Sequence, residues 1–186
     1  MVDIAKQNDL ILQVATYMFP PVRKDSSMTG KNARFSPEDG AYYMAYADYL
    51  MLGKERFLAQ EAQCPVPSDP EDSCGQSGDG VRCRAGKCSF WITWQGTMLP
   101  CGMFPAEGSP NVFAIPFEHG WEQIKESTQA IRLPAQCADC SAKDSCRTCA
   151  AMVITESGCF DKAPQYRCDM IHAYKAQWTR IKEELL

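Results

Sequence analysis

CADCSAKDSCRTC, residues 137 to 149, places four cysteines within thirteen residues. Thiols this dense can clip disulfides, grip a zinc ion or hold an iron–sulfur cluster. The stretch alone does not choose between zinc and iron–sulfur, since both use short Cys-x2-Cys loops. The choice, and with it the fold, rests on the other seven of the chain's 11 cysteines.

In a secreted protein so many cysteines would suggest a disulfide scaffold. Here the count is odd, and residues 8–21, NDLILQVATYMFPP, lack the basic flank and small-residue cleavage site of a secretion signal. Gln13 and Thr16 also interrupt the apolar run. A cytoplasmic, reducing location is therefore expected, where clustered thiols bind metal. No apolar run reaches the roughly 18 residues of a membrane span. The formal charge of −4 and pI near 5.2 provide no basic field for nucleic acid or anionic lipid. Neither nucleic acid nor membrane is an expected partner. With 186 residues, 45% of them hydrophobic, the chain can bury a core without staples.

Hydrophobic patterning predicts an α+β chain in three parts. In residues 1–63, DLILQVATYMF (9–19) reads as a strand. A helix over about 37–62 follows, with Ser36 as N-cap, Pro37 at the first position and Glu38 and Asp39 in the first turn. Tyr42, Tyr46, Tyr49, Leu50 and Phe57 recur near helical spacing, and Gly53 weakens the run. Residues 64–82 form a linker dominated by Pro, Gly, Ser and Asp. Residues 83–186 make a small irregular cysteine-rich domain with a β-hairpin and flanking helices. SFWITW (89–94), a turn at Gln95–Gly96 and TMLP build the hairpin, the aromatics packing it. A short helix is expected over 117–131, and a last one over 164–186 with Met170, Tyr174, Trp178, Ile181 and Leu185 on one stripe.

Eight cysteines fall into three groups around this frame. Cys83, Cys88 and Cys101 surround the hairpin; Cys137, Cys140, Cys146 and Cys149 form the dense stretch; Cys168 opens the last helix. Three thiols on the hairpin need a fourth from elsewhere. The remaining five split evenly only if one crosses over. Two four-iron clusters, each held by four thiolates, satisfy the count. A structural four-cysteine zinc module without a redox role is the alternative. His119 and His172 show no spacing to a cysteine that suggests ligation. Asp139, Asp144 and Asp169 adjoin proposed ligands and are read as loop caps. Cys64 and Cys74 lie in the linker, and Cys159 is a reserve thiol.

The arrangement resembles the SPASM domain, the auxiliary-cluster extension of radical S-adenosylmethionine enzymes that modify peptides and proteins. Cys83, twelve residues, Gly96, TMLP and Cys101 match its first part; Cys137, Cys140 and Cys146 its second; and Cys168 its last cysteine. Cys149 follows Cys146 after two residues instead of the family's three. The resemblance covers about residues 83–170. It implies that Cys83, Cys88, Cys101 and Cys149 hold auxiliary [4Fe-4S] cluster I, with Cys149 crossing over. Cys137, Cys140, Cys146 and Cys168 would hold auxiliary [4Fe-4S] cluster II.

The first sixty residues resemble the last strand and helix of the partial α/β barrel that precedes SPASM domains. The radical signature Cys-x3-Cys-x2-Cys occurs nowhere in the sequence. The chain is thus expected to be part of a larger enzyme, with S-adenosylmethionine and a third cluster bound only in the barrel it lacks. Alone it should not be catalytic. Its implied partners are a peptide or protein substrate and an electron carrier such as flavodoxin or ferredoxin. Sulfatase maturases of the family carry an acidic residue after the third hairpin cysteine; Gly102 stands there, so that route is not expected.

Overall fold

A computed structural model of the chain describes residues 1–10, 12, 14–17, 34–62, 80–81, 83–142, 146 and 149–186. The described residues are mainly helical with one small antiparallel sheet, an α+β composition. They fall into two compact units that alternate along the chain.

The first unit holds α1 (Val2–Gln7), α2 (Pro37–Leu52), α3 (Lys54–Ala59) and α6 (Gln165–Leu185). At the start of α2, Ser36 Oγ accepts from the Asp39 N–H at 3.0 Å, satisfying one of the first-turn donors. The expected single helix over 37–62 is divided at Gly53, whose φ of +79° and ψ of 162° belong to a backbone region almost reserved for glycine. Lys182 Nζ donates to the carbonyls of Leu58 and Gln60, satisfying acceptors at the end of α3. The core consists of Ala41 and Ala45 of α2, Phe57 of α3, and Met170, Tyr174, Trp178 and Ile181 of α6. Four of the five stripe residues of the last helix are thus buried, and Leu185 packs beside them. Small residues on α2 admit α6 closely: a Cβ added at Gly40 would meet Met170 Sδ at 3.4 Å.

The second unit holds β1 (Trp91–Ile92), β2 (Met98–Leu99), α4 (Phe117–Ala130), a 3-10 turn (Ala135–Cys137) and α5 (Ala150–Ser157). The hairpin pairs Trp91 with Leu99 and Ile92 with Met98. It closes through Trp94, Gln95 and Gly96, with Thr93 N–H to Thr97 O and Gly96 N–H to Thr93 O, both 2.9 Å. Gly96 has φ +82°, and any side chain there would strike the Phe113 ring. This is a three-residue loop ending in a left-handed residue. In the same unit, Val81, Ala85, Phe104, Ile131, Leu133, Ala150, Ala151 and Val153 form one core cluster.

Three further expectations differ from the structure. The described part of residues 9–19 forms no strand, although its residues favour one. A strand needs a ladder partner, and the sheet among the described residues is the two-stranded hairpin alone; Leu10 and Val14 are accordingly exposed. The hairpin aromatics are less enclosed than expected: Trp91 is 54% and Trp94 88% exposed, while Phe90 packs on Phe117 and Trp121. The last helix, assigned by sequence to the stretch 83–186, packs in the unit of the N-terminal helices. Most of the expected linker over 64–82, with Cys64 and Cys74, lies outside the described residues, as does Asp144.

Candidate metal centre

The cysteines of the second unit sit where regular structure ends and begins. Cys83 is exposed and precedes the bridge between Ala85 and Ser89. Cys101 follows β2 and is half-buried, receiving the Met103 N–H on its Sγ at 3.4 Å. Cys149 is the N-cap of α5, with extended backbone (φ −92°, ψ 123°). Its side chain makes no capping hydrogen bond, though the first-turn N–H groups of Ala151 and Met152 act to lower its thiol pKa.

Cys83 and Cys101 each lie within electrostatic range of Cys149. Burial pushes the Cys149 thiol up, and the nearby Cys83 and Cys101 push the same way, while the α5 N–H groups oppose them. Cys101 and Cys149 also pack on the same apolar cluster, which holds the hairpin exit against the start of α5. The crossover thiol demanded by counting is therefore near two of the three hairpin cysteines. The third, Cys88, is disulfide-bonded. In that oxidised form it has no thiolate to offer a metal.

Cys137 ends the 3-10 turn, its N–H bonded to Pro134 O at 2.9 Å. Cys140 Sγ accepts the Ala142 N–H at 3.4 Å, the same two-residue step seen at Cys101. Such N–H donors at sulfur are what a cluster's negative charge requires. Cys146 is half-buried, and Cys168 is a half-buried residue of α6 in the first unit. None of Cys83, Cys101, Cys137, Cys140, Cys146, Cys149, Cys159 or Cys168 forms a disulfide. Among the described residues, no three or more His, Cys, Asp or Glu side chains are arranged to hold a single metal ion.

The residues set aside behave variously. His119 and His172 are exposed on helices. Asp169 accepts from Gln165 Nε2 at 2.7 Å, and Asp139 is exposed. Cys159 Sγ donates to Ser157 O at 3.7 Å, and the neighbouring Asp161 carboxylate pushes the thiol up while the thiol holds Asp161 below the usual carboxylate range. The sequence reading missed α5 and with it the N-cap position of Cys149. The signal was present in AAMVITES followed by Gly158, whose φ of +76° ends the helix in the left-handed region.

No helix among the described residues is long and apolar enough to cross a membrane. No protein-family model, curated protein or solved structure matches this chain.

Proposed function

We propose that the chain is an auxiliary-cluster domain of a radical S-adenosylmethionine enzyme that modifies a peptide or protein in the cytoplasm. The observation that carries the reading is that Cys83 and Cys101 both act electrostatically on Cys149, with the Met103 N–H donating to Cys101 Sγ. Cysteine spacing supplies the rest: Cys88 completes the cluster I set once reduced, and Cys137, Cys140, Cys146 and Cys168 form the cluster II set. When bound, [4Fe-4S] clusters take up or relay single electrons.

The chain's own residues shape that chemistry. N–H groups of Met103 and Ala142 neutralise part of the sulfur charge and fix the directions of Cys101 and Cys140. In this reading α2 is the last helix of the family's partial barrel, and reductive cleavage of S-adenosylmethionine belongs to a barrel segment bearing the missing motif. Peptide substrate and a flavodoxin- or ferredoxin-type carrier are the partners.

The test is the iron, acid-labile sulfide and zinc content per chain after anaerobic reconstitution with a thiol reductant, which opens the Cys88 disulfide. About eight irons with matching sulfide are expected for two clusters. One or two zincs without sulfide under the same conditions would overturn the reading in favour of a structural zinc module.

A further inference from the structure

The segment leaving the hairpin, α4 and α5 enclose a cavity of about 390 Å³ within the second unit. Phe104, Ile124, Ile131, Ile154 and Phe160 give it apolar walls, with the two phenyl centroids 6.4 Å apart. Pro100, Pro105 and Pro110 stiffen one side. A β-turn between Ala106 and Ser109, closed by a 3.2 Å hydrogen bond and carrying Gly108 at φ +72°, sets Glu107 at the rim. Glu107 is the only charged side chain among the described lining residues.

We propose that this cavity is a side-chain pocket for the peptide substrate, taking a ring-sized apolar side chain whose neighbour in the peptide is basic. Its volume lies at the lower end of small-ligand pockets, room for one aromatic side chain with its backbone rather than a large cofactor. The apolar walls select the ring, and the lone carboxylate at the rim selects a positive neighbour. Rigid proline walls reduce the ordering cost of binding. The pocket also adjoins the candidate metal centre in sequence and hydrogen bonding. Pro100 lines the cavity immediately before Cys101, and the N–H of Phe104, a wall residue, donates to Cys101 O at 3.2 Å. A peptide anchored here lies beside the Cys101 backbone. The assignment rests on the reading that a peptide is the substrate; nothing in the cysteine pattern pointed to it.

The experiment uses the full chain with isoleucine methyl labels, so that Ile124, Ile131 and Ile154 report on the cavity by NMR. The probes are N-acetyl-Phe-Lys-amide, N-acetyl-Phe-Glu-amide and N-acetyl-Gly-Lys-amide. The first should move the three methyl signals saturably, the second should bind about three- to fivefold more weakly, and the third should leave them unmoved. Ser127→Trp, at an exposed α4 position lining the cavity, should abolish the response. Glu107→Gln should make the two Phe peptides equal without altering the pocket's shape. Methyl signals unmoved by either Phe peptide, or a lysine preference that survives Glu107→Gln, would overturn the proposal. Iron is measured on the same samples: iron without a peptide response sinks the pocket alone, whereas a peptide response without iron keeps the pocket and sinks the cluster reading.

Discussion

Phe57 and Trp178 stack with ring centroids 4.0 Å apart and planes 24° from parallel, pinning the short helix α3 to the last helix of the chain. Phe57 is fully buried, and α3 has only six residues, too few to be stable by itself. Phe57→Ala should cost about 3–5 kcal/mol, read as a lower urea midpoint with an unchanged slope. A loss below about 1 kcal/mol would mean that the stack does not hold α3 in place.

The Tyr174 hydroxyl donates to Asp48 Oδ2 at 2.6 Å. Burial pushes the Asp48 carboxyl up, and the tyrosine bond only partly offsets this. The folded state therefore holds the Asp48 proton more tightly than the unfolded chain does. The stability associated with this group is highest below the ordinary carboxylate value of about 3.9 and declines as pH rises through the raised folded value. An amide in place of the carboxylate would keep an acceptor for the tyrosine without the charge. Asp48→Asn should accordingly gain on the parent as pH climbs from about 4 to 7 and lose that advantage in acid. Parallel stability–pH curves for the two proteins would refute the assignment.

Gly86 has φ +65°, and a Cβ added there would fall 2.0 Å from Thr128 Oγ1 on α4. Gly86→Ala should loosen the loop carrying Cys83 and Cys88 and cost about 1–3 kcal/mol. Thr128 Oγ1 is itself buried with no hydrogen-bond partner among the described residues. Thr128→Val should therefore be neutral, or stabilise by up to about 1 kcal/mol. Thermal melts of both variants decide the matter; a large loss in Thr128→Val would reveal a partner for its hydroxyl.

Cysteine removal tests the ligand sets under the proposed function. Cys140→Ala or Cys168→Ala should remove about half the iron and leave the hairpin site loaded. Full iron content in both variants would eliminate the assigned cluster II set.

What the sequence made legible follows from how local each signal is. The Ser36-Pro37 start of α2, the Gly96 hairpin turn and the α6 stripe are encoded within a few residues, and each stands in the structure. The dividing effect of Gly53 is equally local, but glycine alone does not distinguish a weakened helix from a broken one. Residues 9–19 mislead because β-propensity reports a fit to a pleated surface, and the surface must come from elsewhere. The nearness of Cys149 to Cys83 and Cys101 is partly legible by counting thiols. Its cause, a helix cap docked on an apolar cluster, depends on packing between segments about fifty residues apart. The cavity beside Cys101 left no mark in any single motif, since its walls come from three separated segments.

The return of α6 to the first unit sets a timetable for synthesis. Phe57 leaves the ribosome long before Trp178, the ring that will cover it. At about 5–20 residues per second the interval between α3 and the end of α6 is roughly 5–25 s. Throughout that interval the apolar face built by Ala41, Ala45 and Phe57 lacks its full covering helix, and the intervening cysteine-rich unit is completed in sequence just before α6 is made. The second unit can thus mature first on the nascent chain, and a ribosome stalled before residue 165 would leave the first unit open to chaperones and proteases.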